Sequence, residues 1–227
     1  MPAPLLDVRD VSFAYGRGAR RRAVLEAVSV SVARGEVVGL LGPNGSGKST
    51  LLRLMAGVLA PGAGQVQLEG VDVTRFERRD LARRIAVVPQ ETHAAFDYTA
   101  LEMVLMGRYP HLGPLAFEGD ADIAIARQAL AATGADTLAD RLFNTLSGGE
   151  KQRVVIAGAL AQASDILLLD EPTTALDLRY QLEIQSVLRG LNTSRGTTLV
   201  IATHDLNLAA SICDRLVLLH DGRVTAQ

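Results

Sequence analysis

The sequence predicts an α/β layer fold, and three observations carry that prediction. "EVVGLLG", residues 36–42, is an unbroken apolar run closed by glycine, the pattern of a strand buried on both faces of a parallel sheet. It passes through a glycine-rich loop into "KSTLLRLMAGVL", where apolar residues recur at helical spacing. Three further buried-strand runs, "RIAVVP", "DILLLDEP" and "TTLVIATHD", are separated by helical segments, the alternation that layers helices on a parallel sheet.

Taken in order, the first 35 residues alternate in short segments, "LLDVRDVSFAY" and "AVLEAVSVSVARG", around a turn rich in Gly and Arg, and predict a β-hairpin or small antiparallel sheet. The strand, glycine loop and helix come next. Between Gln90 and Thr145, "TALEMVLMG" and "DADIAIARQALAATGA" have helical periodicity and no strong strand pattern, which predicts a helical subdomain inserted in the α/β core. "KQRVVIAGALAQA" is a further helix leading to the next buried strand. "DRLVLLHDGRV" closes the chain as a hairpin with Asp221 and Gly222 in the turn. No internal repeat or low-complexity linker interrupts this order.

A chain of 227 residues, 48% of them apolar, can bury a sizeable core, which excludes a disordered protein. The net charge of −2 gives no long-range attraction for nucleic acid. The cluster Arg17, Arg20, Arg21 and Arg22 is read as a solvated loop and given no role. Cys213 is the single cysteine, so no internal disulfide forms, in keeping with a reducing compartment. "MPAPLLDVRD" has no basic flank before an apolar core, so no signal peptide is expected, and no apolar run approaches the ~18 residues of a spanning helix. A cytosolic protein is expected, one that meets a membrane only through a partner. The 21 arginines against two lysines fit either a genomic base bias or a stability adaptation.

Chemistry enters at "GPNGSGKS", which fits G-x-x-x-x-G-K-S with Gly42, Gly47, Lys48 and Ser49 in register between a predicted strand and helix. Through Pro43, Asn44, Gly45, Ser46 and Thr50 the backbone turns tightly, so that successive N–H groups and the helix N-terminus meet phosphate oxygens. Lys48 is placed to reach the β and γ phosphates, and Ser49 to ligate Mg2+. Asp170 ends a buried strand at the edge where open α/β sheets bind ligands, as a metal-side acid. Glu171 follows it and, on an extended chain, points the other way, free to contact an attacking water as general base. His204 ends another buried strand, where a γ-phosphate contact competes with a structural hydrogen bond. Gln90 ends a third, positioned for the water or the metal. Tyr15 stacks on adenine or simply packs near the hairpin turn; the residues alone leave both readings standing.

"TLSGGEKQR", residues 145–153, raises a different problem. Ser147 and Glu150 form the pattern of a capping box, which explains both polar residues without a ligand. It does not explain Gly148 and Gly149 in the first turn, where glycine costs ~1 kcal/mol against alanine. Such glycines bare backbone N–H groups for close approach by something. Spacing does not say whether that is the chain's own nucleotide.

Together "GPNGSGKST", the glutamine of "VVPQ", "LSGGEKQR", "ILLLDEP", "TALD" and "ATHD" resemble, in that order, the nucleotide-binding subunit of an ATP-binding cassette (ABC) transporter. The resemblance covers nearly the whole chain. It implies a phosphate-loop core of ABC type with an N-terminal antiparallel β-subdomain and an inserted helical subdomain. Its single domain spans residues 1–227, with residues 1–89 and 164–227 as catalytic core and β-subdomain and 90–163 as the helical signature subdomain. It also implies ATP and Mg2+, and a head-to-tail pair of subunits in which Ser147, Gly148 and Gly149 serve the neighbour's ATP. Tyr15 becomes the adenine-stacking residue, Gln90 the coupling glutamine, Asp177 a residue of the dimer seam, and His204 the γ-phosphate contact.

"EMVLMGRYPHLG" and the Tyr-Gln of "LDLRYQ" are similar to ATPases of importers for iron chelates, haem or cobalamin. That group continues beyond the hairpin at which this sequence ends with Gln227, a departure from its pattern. The expected setting is the cytoplasmic face of a membrane, with permease subunits as partners, a substrate-binding protein indirectly, and no nucleic acid. Phe96 and Tyr98 are candidates for gripping a permease loop or for ordinary packing. An exporter ATPase is the alternative within the family. A DNA-maintenance or translation ATPase is the alternative outside transport, but the sequence has neither the long coiled coil nor the second head such proteins carry.

Overall fold

The computed structural model describes residues 3–16, 18, 22–113 and 116–227. β1 (Leu6–Tyr15) and β2 (Arg22–Val32) pair antiparallel, as the opening alternation predicts. Two strands that the sequence reading did not single out, β4 (Ala63–Leu68) and β5 (Val71–Asp72), extend them to a sheet of order β2-β1-β4-β5.

The second sheet is the predicted parallel one. β3 (Val37–Leu41), β6 (Ile85–Val88), β7 (Ile166–Asp170), β8 (Thr198–Thr203) and β9 (Arg215–His220) run parallel, and β10 (Arg223–Ala226) returns antiparallel on β9. Their order is β10-β9-β3-β8-β7-β6. Every residue of β3, β7 and β8 is buried, which is why they read as continuous apolar runs rather than alternating ones. The closing hairpin turns through Asp221 (φ 45°) and Gly222 (φ 74°), the left-handed pair that a two-residue hairpin requires.

α1 (Lys48–Met55) packs on one face of this sheet, where Leu51, Leu52, Leu54 and Met55 join Leu40, Ile166 and Leu168 and the inner face of the antiparallel sheet in one core. α6 (Leu178–Arg195) and α7 (Leu206–Ile212) cover the other face, over Leu167, Leu169, Leu199 and Ile201. Short α2 (Arg78–Arg84) leads into β6. α3 (Ala100–Leu105), α4 (Asp120–Ala132) and α5 (Gly148–Ala161) share a third core around Val104, Leu130, Phe143, Val154 and Ala157. No strand falls among the described residues between Gln90 and Thr145, in line with the helical periodicity of that stretch. No helix of the described residues is long and apolar enough to cross a membrane.

Because five strands of the second sheet are parallel, their C-terminal ends lie along one edge. The loops leaving β3, β6, β7 and β8 there carry the phosphate loop, Gln90, the acid pair and His204.

Candidate nucleotide site

The site begins with a helix start that nothing caps. Gly47 takes φ 105° at the N-cap of α1, and no side chain hydrogen-bonds to the helix's first turn. The opening N–H groups of a helix have no intrahelical acceptor, so they remain as donors beside the positive end of the helix dipole. A side chain at Gly47 would collide with Leu25 at 2.6 Å, so this approach of β2 to the loop demands glycine for steric as well as backbone reasons. Lys48 is 6% exposed, and its ammonium donates to the carbonyls of Gly42 (2.7 Å) and Pro43 (3.2 Å). An ammonium has three donors, so one is left for a phosphate oxygen.

Opposite lie the two acids. Asp170 and Glu171 are both buried, and Asp170 Oδ1 and Glu171 Oε1 have no hydrogen-bond partner. Buried polar atoms are nearly always paired, so two bare carboxylate oxygens beside a phosphate loop mark a place where ligand atoms fit. Burial raises the Asp170 carboxyl above its usual value, the Ser49 hydroxyl opposes this, and the charge of Glu171 adds to it. Ser49 and Asp170 make a hard-oxygen pair. Such a pair suits a divalent cation that completes its shell with phosphate and water. Among the described residues no group of three or more His, Cys, Asp or Glu is placed to hold a metal unaided.

Glu171 differs from the sequence expectation in one respect. Its backbone is not extended but left-handed, with φ 50°, so the chain turns at this residue instead of continuing β7. Its Oε2 accepts from the Thr174 hydroxyl at 3.0 Å and lies 2.8 Å from His204 Nδ1. Its Oε1 stands 3.9 Å from Lys48 Nζ. One oxygen is thus fixed by two side chains and the other faces the phosphate loop. The Thr174 contact has no signal in the sequence, since a threonine in "EPTT" looks like any turn residue.

Among the described residues several cavities have similar volumes, and two of them lie at opposite ends of the parallel strands. One of about 400 Å³ lies by Gly35, Asp165 and Thr197, where β3, β7 and β8 begin, and none of its lining side chains has a buried unpartnered polar atom. The other, about 390 Å³, is lined by the phosphate loop with Tyr15, Arg22, Gln90 and Glu171. Tyr15 is 39% exposed, is packed edge-on by Phe13 and places its hydroxyl 3.5 Å from Thr50 Oγ1, which leaves ring surface open to a base. Arg22 stands directly across the β1–β2 ladder from Tyr15 and so reaches the pocket wall. That placement was hidden in a charge run read as solvated. Arg17, Arg20 and Arg21 lie outside the described residues.

The start of α5 contrasts with that of α1. Ser147 caps it, accepting from Glu150 N at 3.3 Å while Glu150 Oε2 accepts from Ser147 N at 2.8 Å, so the capping box is present. Gly149 has a reason within the chain, because a Cβ there would lie 3.1 Å from the Ala175 carbonyl oxygen. Gly148 does not, for its Cβ position meets only Ala175 Cβ at 3.9 Å. Among the described residues lining the phosphate-loop pocket, none comes from the start of α5 or from Asp177, which caps α6.

The chain matches the family described as "ABC transporter" over residues 25–174. The cobalamin import ATP-binding protein BtuD of Halobacterium salinarum is 47% identical over 88% of this chain, which spans 50% of that relative's length. The hemin import ATP-binding protein HmuV of Nocardia farcinica is 48% identical over 93% of the chain and 72% of its own length. Among solved structures, the ATP-binding cassette MJ0796, in a dimeric post-hydrolysis state bound to ADP and Pi, superposes with a TM-score of 0.89 at 32% identity, covering 97% of each chain. A phosphate loop, an acid pair and a capped "LSGGE" helix on this sheet, with identities near one half over most of the chain, place the protein in the ABC transporter family.

Proposed function

We propose that the chain is the ATP-hydrolysing subunit of an importer for a metal chelate, an iron-siderophore, haem or cobalamin. The relatives named for cobalamin and hemin import support the cargo class. In this reading the chain works as a head-to-tail pair on separate permease subunits at the cytoplasmic face of a membrane, with a substrate-binding protein acting indirectly.

The carrying observation is the split environment of Glu171. With Oε2 held by His204 and Thr174, Oε1 is the oxygen left to take a proton from a water in line with the γ phosphate. Lys48 and the bare N–H groups of α1, with the loop Gly42, Pro43, Asn44, Gly45, Ser46, Gly47 and Thr50, hold the phosphates. Tyr15 stacks on the base. Ser49 and Asp170 would hold Mg2+, with Gln90 beside them, and the bound cation would offset the negative charge of the phosphates. His204 orients Glu171, 2.8 Å from its Oε2, and is assigned the γ-phosphate contact. Ser147, Gly148, Gly149 and Asp177, absent from the chain's own pocket wall, serve the neighbour's nucleotide, which the dimeric cassette relative supports. Residues 90–163 act as the signature subdomain against a core of residues 1–89 and 164–227. Phe96, 69% exposed and edge-on to Tyr98 at 6.0 Å, is placed to meet a permease loop.

The test is Glu171→Gln. The variant should bind ATP, accumulate as a nucleotide-bound dimer on size-exclusion chromatography and lose hydrolysis by at least about 10²-fold, the usual range for a general base. Hydrolysis at the parent rate would remove Glu171 from the role.

A further inference from the structure

Arg153, on the second turn of α5, is 6% exposed, and its Nε has no hydrogen-bond partner. Its terminal nitrogen donates to the Gly134 carbonyl, and its guanidinium carbon lies 3.8 Å from the centre of the Tyr180 ring. A buried guanidinium held over an aromatic face is a strong, direction-specific contact. Tyr180 in turn sits in the first turn of α6, where its backbone N–H donates to Asp177 Oδ1 at 3.1 Å. α5 therefore grips the start of α6 at the residue that holds Asp177.

It grips the preceding loop as well. Gly149, one turn before Arg153, packs against the Ala175 carbonyl closely enough that a Cβ would stand 3.1 Å away. The neighbour of Ala175 is Thr174, whose hydroxyl donates to Glu171 Oε2. From α6, Gln181 donates to the carbonyls of Thr173 (3.2 Å) and Leu176 (3.1 Å), which ties the loop to the helix. Two contacts four residues apart on α5 thus meet the chain at Ala175 and at Tyr180, on either side of Asp177, and the Thr174 bond carries the same loop back to Glu171.

We infer that the Arg153–Tyr180 stack is a positioning link through which the start of α5 sets the loop 171–177 of the same chain. The inference rests on the proposed reading in which the start of α5 receives the neighbour's nucleotide. Occupancy of that end moves α5. The stack and the Gly149 contact carry the displacement to Asp177 and, through Thr174, to the general base Glu171. Each chain's hydrolysis then depends on the nucleotide held by its partner's phosphate loop, and the two sites fire cooperatively.

The experiment compares the parent with Tyr180→Leu, Arg153→Lys and Tyr180→Phe. It measures nucleotide affinity of the single chain, steady-state hydrolysis against ATP concentration, and ATP-driven pairing of a Glu171→Gln chain. The stack should survive in Tyr180→Phe, which should match the parent. Tyr180→Leu should keep single-chain affinity within about twofold yet lose about fivefold or more in kcat, with the Hill coefficient falling toward 1, the scale of ordinary site–site coupling. Parent-like kcat and Hill coefficient in Tyr180→Leu would overturn the link. Should that variant not fold, Arg153→Lys decides in the same way, because it keeps the charge and loses the planar guanidinium over the ring. Absence of ATP-driven pairing in the Glu171→Gln chain itself would instead sink the two-chain reading, whatever the stack variants do.

Discussion

Gly148→Ala separates the two explanations of the glycine pair that opens α5. At this position a methyl group meets only Ala175 Cβ at 3.9 Å, an ordinary van der Waals contact, so the fold has room for it. Alanine is favoured over glycine in a helix by up to ~1 kcal/mol, and the free chain should gain some part of that. For a chain of this size the full ~1 kcal/mol would raise Tm by about 2–4 °C, so the gain should be at most that, readable by scanning calorimetry. If the N–H groups here receive a phosphate, the same methyl stands in its path. Loss of one such preorganised donor typically costs about 10²- to 10³-fold in turnover. The expected outcome is a chain as stable as the parent or more so, unchanged in single-chain ATP affinity, and nearly inactive in a phosphate-release assay. A stable Gly148→Ala chain with parent turnover would refute the reasoning, and the glycine would need a different cause. Gly149→Ala is the contrast: with the Ala175 carbonyl 3.1 Å from its Cβ position, it should lose stability as well as turnover.

Asp170→Asn should raise Tm of the metal-free chain at neutral pH while abolishing hydrolysis. Because burial raises the Asp170 carboxyl above its usual 3.8, the folded state binds the proton more tightly than the unfolded one. Its penalty sets in as pH rises past the unfolded value and is complete above the folded one, so the gain should vanish in melts below pH 3.8. Gly107→Ala would bring a Cβ within 2.2 Å of the Gly158 carbonyl oxygen on α5, backbone that cannot step aside. Overpacking of this kind costs about 1–3 kcal/mol, measurable as a lower urea midpoint with an unchanged m-value. Tyr15→Ala should weaken ATP binding by about tenfold in calorimetric titration, since stacking on a base is worth ~1–3 kcal/mol. Tyr15→Phe should bind nearly as the parent does, because the hydroxyl makes only a 3.5 Å contact with Thr50.

What the sequence revealed and what it hid follow from the range of the interactions involved. β3, β7 and β8 were legible because burial on both faces leaves an unbroken apolar run, and the phosphate loop because its residues are contiguous. β4 and β5 were not. "AGQVQLEGVD" has only a weak alternation: β4 is made by pairing with β1, across a long sequence separation that local pattern does not register, and the two-residue β5 exists only as a return on β4. Arg22 looked like one of a solvated charge run until the β1–β2 register set it opposite Tyr15. Arg153 and Tyr180 lie in two quoted stretches, "LSGGEKQR" and "LDLRYQ", but nothing in either stretch pairs one with the other. A buried cation on a ring is a tertiary event between two helices, which sequence motifs read one at a time do not register.

Glu171 shows the limit most sharply. Along β7 the side chains alternate: Ile166 and Leu168 face the core under α1, while Leu167 and Leu169 face the core under α6. By that alternation Asp170 falls on the α1 side with the phosphate loop, and an extended Glu171 would fall on the other, away from Lys48. The observed φ of 50° swings it back, so that its Oε1 comes within 3.9 Å of Lys48 Nζ. A left-handed conformation costs a non-glycine residue roughly 1–2 kcal/mol. The sheet offsets that cost, because the Glu171 N–H still donates to the Ala202 carbonyl of β8 at 2.9 Å and keeps its place on the ladder. Two adjacent acids can therefore both face the phosphate loop only because the strand's alternation is broken between them. The pair "DE" is visible in the sequence, but the break that makes it a site exists only in the folded chain.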